Sequence, residues 1–235
     1  MSENYKCPLC GGTEYIEWKE IHFGIEYEFA EPCICLKRKR QLKQMENSNL
    51  ANPAGMTIRM YQQTEPWQQN VVEKAVRFVN YKPQSADDIL PWFYIGGQTG
   101  SGKTHICTAI CGQLIEQGRS IRYEIWPDMA ADLKVKQNTP DFTKAMKRLQ
   151  EVDVLYLDDV FHGDATRADV DMLWNIINGR YTGNKQTIIS SEMFLGEITD
   201  RDHSLGGRIH ERARGFICQI QREPNRDYRR KGGRM

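Results

Sequence analysis

Gly97-Gln98-Thr99-Gly100-Ser101-Gly102-Lys103-Thr104 stands directly behind the apolar run Trp92-Phe93-Tyr94-Ile95 and leads into Lys103 to Gln117, which reads as a helix. Two glycines with four residues between them, followed by Lys and Thr, make a phosphate-binding loop when a strand precedes and a helix follows. A loop wrapped around a triphosphate turns its backbone N–H groups inward, which favours Gly97, Gly100 and Gly102, while the next helix adds the positive end of its dipole. Lys103 then reaches the β and γ phosphates, and the Thr104 hydroxyl is offered to Mg²⁺. This stretch predicts ATP or GTP binding. Nothing resembles the guanine-reading Asn-Lys-x-Asp pattern, so ATP is the expected nucleotide.

Working outward, Val71, Val72, Ala75, Phe78 and Val79 recur at helical spacing between Gln69 and Tyr81. Downstream come a strand (Ile121 to Trp126), a mostly helical stretch (Asp128 to Leu149), and two more apolar runs, Val152 to Asp159 and Thr187 to Glu192. Strands alternating with helices predict a parallel sheet covered on both faces, with ligands collected at the carboxyl ends of its strands. Val152-Asp153-Val154-Leu155-Tyr156-Leu157 ends in the acids Asp158 and Asp159, which an apolar strand has no reason to carry unless something cationic or reactive lies there. Asp158 is read as a Mg²⁺ ligand and Asp159 as the group that orients or activates the attacking water. Ser191 or Glu192, at the end of its own strand, would sense the γ-phosphate. Leu205 to Arg214 reads as a helix starting after Gly206-Gly207, with Arg208 and Arg212 four apart on one face. A ring ATPase needs such an Arg from one subunit on the γ-phosphate held by the next. Lys134, Lys136, Lys144, Lys147 and Arg148 mark either a nucleic-acid-facing surface or a solvated helix face.

Cys7-Pro8-Leu9-Cys10-Gly11-Gly12 is a knuckle, and Cys33-Ile34-Cys35 a second pair after residues that alternate like short strands, Tyr15 to Trp18 and Ile25 to Phe29. Four thiolates suit a closed tetrahedral Zn²⁺ site that such a short segment needs in order to fold. His22 is a substitute ligand, and an Fe–S cluster the alternative metal centre. Leu36 to Met45, with Lys37-Arg38-Lys39-Arg40, reads as a basic helix that is either solvated or in contact with DNA. Cys107, Cys111 and Cys218 read as core residues. The expected organisation is residues 1–46 for the metal-binding segment, 47–66 for a linker laid across the next domain, and 67–235 for the nucleotide domain.

The 235 residues carry a formal charge of +1, so the chain as a whole is no polyanion binder, although basic residues outnumber acids from Arg208 onward. No apolar run reaches the ~18 residues that span a bilayer and no signal peptide is read, so a soluble cytoplasmic protein is expected.

Taken in order, GGQTGSGKTH, VLYLDDVF, QTIISSEM, LGGRIHERARGF and NRDYRRK resemble the bacterial and phage helicase-loader ATPases of the DnaC and DnaI type, within the AAA+ superfamily. The resemblance implies an AAA+ α/β core without a separate C-terminal lid, and a nucleotide site from Gly97 to Thr104 and on to His105. It further implies Asp158 and Asp159 as Walker B, Ser191 with Glu192 at sensor 1, Arg208 or Arg212 as arginine finger, and Arg229 as sensor 2. Many relatives carry Asn at the position of Glu192 and Glu at that of Asp159. The implied activity is ATP hydrolysis by a loader of a replicative DnaB-type hexameric helicase onto single-stranded DNA, phage or prophage encoded. The implied partners are the helicase, held by the zinc segment, single-stranded DNA, and further copies in an ATP-dependent ring or spiral. The rivals are an IstB-type transposition helper on double-stranded DNA and a zinc adaptor that binds nucleotide without turnover.

Overall fold

The computed structural model describes residues 7–50, 55–163 and 165–229. The Arg38 side chain, residues 51–54 of the expected linker, and Arg230 and Lys231 of the last motif lie outside the described residues. The chain begins with a hairpin, β1 (Tyr15–His22) and β2 (Ile25–Pro32), followed by α1 (Ile34–Asn47). After a 3-10 turn at Ile58–Met60 come α2 (Pro66–Val79), β3 (Phe93–Gly97), α3 (Lys103–Glu116), β4 (Ile121–Ile125), α4 (Trp126–Lys136), α5 (Pro140–Glu151) and β5 (Val154–Val160). The rest is α6 (Arg167–Thr182), β6 (Gln186–Ser191), α7 (Leu195–Arg201), α8 (His203–Arg212), β7 (Ile217–Ile220) and a 3-10 turn at Pro224–Arg226.

Strands β3 to β7 form one parallel sheet in the order β4-β5-β6-β3-β7, so β6 is threaded between the strand that feeds the phosphate loop and the strand that carries the acids. The alternation of side chains along each strand divides the interior in two. Phe93, Ile95, Tyr156 and Ile188 face α2 and α3, whereas Tyr94, Leu155, Leu157 and Ile189 face the side covered by α4 to α8. Covering both faces explains why β5 reads as an unbroken apolar run rather than an alternating one. No helix of the described residues is long and apolar enough to cross a membrane.

Caps fix where the helices start. Pro66 opens α2 behind Glu65, whose N–H donates to Gln68 Oε1 at 2.8 Å. Helix α6, which the sequence reading passes over, has its own capping box: the Thr166 N–H donates to Asp169 Oδ2 (2.9 Å) and the Asp169 N–H to Thr166 Oγ1 (3.3 Å). Helix α8 corrects the reading of Gly206-Gly207 as its preface. It starts at His203, capped by Asp202 Oδ1, which accepts from the Leu205 N–H at 2.9 Å, so both glycines lie inside it. Gly206 is required by packing instead, because a Cβ there would lie 2.2 Å from Thr199 Oγ1 of α7.

The stretch between α1 and α2 lies on the parallel-sheet core: Leu50, Ile58 and Tyr61 are buried in it, and the Tyr123 N–H of β4 donates to the Ser48 carbonyl at 2.8 Å. At the amino end of the sheet, fully buried Arg180 of α6 donates to the carbonyls of Leu149 (2.7 Å) and Val152 (3.0 Å) and to Thr187 Oγ1 (2.9 Å), tying α5, α6 and β6 together.

Candidate nucleotide-binding site

The loop after β3 rises off the sheet at Gly97, whose φ is +108° and whose missing side chain leaves room for the Ile220 carbonyl, 2.1 Å from where a Cβ would stand. Behind the loop, Lys103 is buried and its Nζ donates to the carbonyls of Gly97 (3.0 Å) and Gln98 (2.9 Å). Burial depresses its pKa, against the opposing pull of Glu192, Asp159 and Asp158. The Ser101 hydroxyl braces the loop on the Gln98 carbonyl at 2.7 Å. Thr104 Oγ1 donates to Asp158 Oδ1 at 3.3 Å, which brings the two expected Mg²⁺ ligands together at the carboxyl edge of the sheet.

Asp158 is only 3 % exposed and is held by three hydroxyls, from Thr104, Ser190 and Tyr123, the last at 3.0 Å from Oδ2. Asp159 is where β5 stops being regular: its φ is +54° and the register against β6 shifts between Leu157 and Val160. Such an irregularity re-aims a side chain, and the left-handed backbone costs on the order of 1 kcal/mol. Half-buried and next to Asp158, Asp159 has a pKa raised above the usual carboxylate range, chiefly by burial and then by Asp158, with Lys103 and His162 acting against both.

The expectation for Ser191 is corrected. Its hydroxyl donates to the Val160 carbonyl at 2.6 Å and accepts from the Met193 N–H at 3.0 Å, so it serves the backbone. Ser190 faces the acids instead, donating to Asp158 and accepting from the Asp159 N–H at 3.1 Å. Ser190→Ala is therefore expected to lower the kcat of any ATP turnover by ~10-fold, as loss of one positioning hydrogen bond would, with Ser191→Ala changing thermal stability more than kcat in the same steady-state assay. Glu192 reaches the phosphate loop itself, accepting from Thr99 Oγ1 at 2.7 Å, with His162 Nδ1 3.5 Å from its other oxygen.

The final described residues return to the loop. The Tyr228 N–H donates to the Gly100 carbonyl at 3.0 Å, and Asp227 Oδ1 lies 2.0 Å from where a Gly100 Cβ would be. Arg229 is exposed, and its N–H donates to Asp227 Oδ1 at 3.0 Å. Tyr61, before α2, donates from its hydroxyl to the Ser101 carbonyl at 3.2 Å. His105, expected among the nucleotide contacts, turns away from the loop: its Nε2 lies 2.9 Å from the Thr57 carbonyl, and its ring meets that of Tyr61 edge-on. Tyr61, Tyr123 and Ser190 are site residues that the sequence reading missed. Their signal was faint, a tyrosine or serine within or just before a recognised element.

Arg208 and Arg212 lie away from this edge, since the Arg212 carbonyl accepts from the N–H of Trp92, which precedes β3 at its amino end, at 2.8 Å. Arg212 is buried and donates to Asn184 Oδ1 (2.8 Å) and to the Tyr181 carbonyl while stacking on the Tyr181 ring. Both terminal guanidinium nitrogens are held within its own chain, which corrects its reading as a finger. Arg208 is half-exposed, makes one carbonyl hydrogen bond, to Ser204 at 3.1 Å, and lies over Trp174 and Tyr181. Lys134, Lys136, Lys144 and Lys147 each have a carboxylate partner, Asp169, Asp132, Asp141 and Glu151.

A second cluster stands at the amino end of the chain. The Sγ atoms of Cys7, Cys10, Cys33 and Cys35 lie within 4.8 Å of one another, with Cys7–Cys33 at 3.7 Å and Cys10–Cys35 at 3.5 Å. Four sulfurs ~2.3 Å from a common tetrahedral centre would be ~3.8 Å apart, so the donor set and its spacing fit Zn²⁺. Burial alone would raise the Cys10 thiol, but the N–H groups of Gly12 and Glu14 and the Cys35 thiol draw it down to about 6, while burial and Cys10 push Cys35 up to about 12. His22 does not join them. It sits at the far end of β1, ~25 Å of strand away, with Nε2 2.9 Å from Glu20 Oε2.

The family model described as IstB-like ATP binding protein matches residues 34–228. YqaM of Bacillus subtilis, described as an uncharacterized protein, is 28 % identical over 225 residues, covering 91 % of this chain and 68 % of its own. The replicative helicase loader DnaC of Escherichia coli is 24 % identical over 149 residues, covering 63 % of this chain and 58 % of its own. Among solved structures, a crystal structure of the DnaC helicase loader superposes with a TM-score of 0.63 over 72 % of this chain and 99 % of that one, at 21 % identity, so the parallel five-stranded sheet and its helices have the fold of that protein. A family match running from Ile34 through the phosphate loop to Tyr228 settles the assignment: the chain belongs to the IstB-like ATP-binding proteins.

Proposed function

We propose that this chain is an ATP-hydrolysing loader that places a replicative, DnaB-type hexameric helicase on single-stranded DNA. The observation that carries the reading is the convergence of Lys103, Thr104, Asp158, Asp159 and Ser190 on one sheet edge, in a chain whose fold is that of a helicase loader. Lys103 exchanges the carbonyls of Gly97 and Gln98 for the β and γ phosphates of ATP, and the loop N–H groups bind the remaining oxygens. Thr104 and Asp158 would hold Mg²⁺, which would supply charge neutralisation to the phosphates. Asp159, turned out of the strand, holds the attacking water and takes up its proton; its raised pKa suits a proton acceptor. Arg229, next to the tyrosine bound to Gly100, acts from the tail side as sensor. Arg208 acts on the γ-phosphate of the neighbouring copy in a ring or spiral, so ATP orders that interface and hydrolysis releases it. Cys7, Cys10, Cys33 and Cys35 hold a structural Zn²⁺, and the segment they anchor holds the helicase.

A second reading, a transposition helper acting on double-stranded DNA, is favoured by the family name itself. Steady-state ATP turnover separates the two. The loader reading expects circular single-stranded DNA to stimulate turnover at least several-fold more than duplex of equal mass, and expects Arg208→Ala to lose that stimulation while keeping nucleotide affinity. Preference for duplex would transfer the protein to the second reading.

A further inference from the structure

Among the described residues, the hairpin formed by β1 and β2 gathers exposed large apolar side chains on one small element. Seven of the fourteen large apolar residues exposed among those described belong to it, including Trp18, Phe23, Ile25, Tyr27 and Phe29. The register sorts them. Trp18 pairs with Phe29, Glu20 with Tyr27 and His22 with Ile25, so Trp18, Glu20, His22, Ile25, Tyr27 and Phe29 share one face, while Lys19, Ile21, Glu26 and Glu28 share the other. On the apolar face Trp18 and Phe29 stack with centroids 5.5 Å apart, and His22 meets Tyr27 edge-on at 6.0 Å. On the reverse face Lys19 is bridged to Glu26 and Glu28 in open solvent. Phe23 is held fully exposed at the tip, because it and Gly24 form a two-residue turn with both φ values positive, +52° and +80°. A concentrated aromatic patch on a thin element, rimmed by charge, marks a docking surface rather than scattered exposure.

Charge decides what docks. From Tyr15 to Pro32 the hairpin carries Glu17, Glu20, Glu26, Glu28 and Glu31 against Lys19 alone. Aromatic residues on an open sheet also serve as stacking platforms for single-stranded nucleic acid, but those platforms lie in cationic grooves. An excess of carboxylates repels phosphate, and it repels a second hairpin equally. We propose that the aromatic face and tip of this hairpin form the surface that grips a protein partner, and that the partner presents an apolar groove flanked by Lys and Arg. The proposal rests on the loader reading for the identity of that partner, a hexameric helicase.

The test uses the full zinc-loaded chain, a purified DnaB-type hexameric helicase and a labelled oligothymidylate, with binding measured at rising salt. Two variants are compared with the parent: Phe23→Ser, which removes a side chain that touches nothing it could destabilise, and the double change Trp18→Ser with Tyr27→Ser. The expected result is a ~10-fold loss of helicase affinity for the first and a larger loss for the second. Zinc content, oligonucleotide binding and ATP turnover should stay unchanged, and the parent affinity should fall with salt. Unchanged helicase affinity in both variants would overturn the hairpin as the docking surface and leave the loader reading standing. Loss of oligonucleotide binding, or of self-association, in place of helicase binding would also overturn it. A parent chain that fails to bind the helicase would overturn the loader reading and the proposed partner together.

Discussion

Lys103→Ala is expected to abolish measurable ATP binding and to lower turnover at least ~100-fold. The ammonium group is buried in a site whose other charged neighbours, Glu192, Asp159 and Asp158, are all acids. Without the lysine, three carboxylates face a triphosphate, and the attraction that should offset their repulsion is gone. Charge-assisted hydrogen bonds of this type are worth ~1.5–3 kcal/mol each, and every ~1.4 kcal/mol is tenfold in affinity or rate. The change also takes the Lys103 donor from the carbonyls of Gly97 and Gln98, leaving Gln98 with the Ser101 hydroxyl alone, so the loop loses support from below. Titration with a fluorescent ATP analogue checks the binding, and an unchanged far-UV circular dichroism spectrum shows that the core persists. Lys103→Arg is expected to fare little better, because a planar fork does not fit a space shaped around an ammonium that meets two carbonyls at 3.0 and 2.9 Å.

Removing the metal from the amino end is expected to have the next largest effect. A two-stranded hairpin is marginal in water, and this one exposes both faces. Its base is fixed by Cys7 and Cys10 before β1 and by Cys33 and Cys35 after β2, so a structural zinc would contribute on the order of 10–16 kcal/mol, apparent, to that segment. Elemental analysis is expected to find one zinc per chain, lost in Cys33→Ala, whose side chain is fully buried. Hydrogen exchange should then show β1, β2 and the first turn of α1 unprotected, with β3 to β7 still protected. The sheet and its two apolar layers do not depend on the knuckle. A chain free of zinc, or a hairpin equally protected without it, would contradict the account of this segment.

The strands and the phosphate loop were legible in the sequence because their signals are local: an apolar run, a set of glycines, two acids in a row. What was illegible depends on contacts between elements. Ser190 and Ser191 are adjacent and chemically alike, and only the register of β6 against an irregular β5 decides which hydroxyl meets Asp158. The left-handed backbone at Asp159 leaves no mark on the sequence. Arg208 and Arg212 share a helix face, but packing of α8 on α6 draws Arg212 inward against Tyr181 and Asn184 and leaves Arg208 half-exposed. His22 is near the cysteines in chain position and far from them in space, because a strand carries it to the tip of the hairpin. Helix α6 is signalled in the sequence only by Thr166 and Asp169, a capping box between two stronger motifs.

The most direct test of the whole account is transfer of a labelled DnaB-type hexameric helicase onto circular single-stranded DNA, which has no end to thread. The account predicts that the helicase becomes stably bound to the circle only when this chain and ATP are both present, and that Lys103→Ala abolishes the transfer. Transfer that is equally efficient without the chain, or a chain that coats duplex circles and leaves the helicase free in solution, would contradict it.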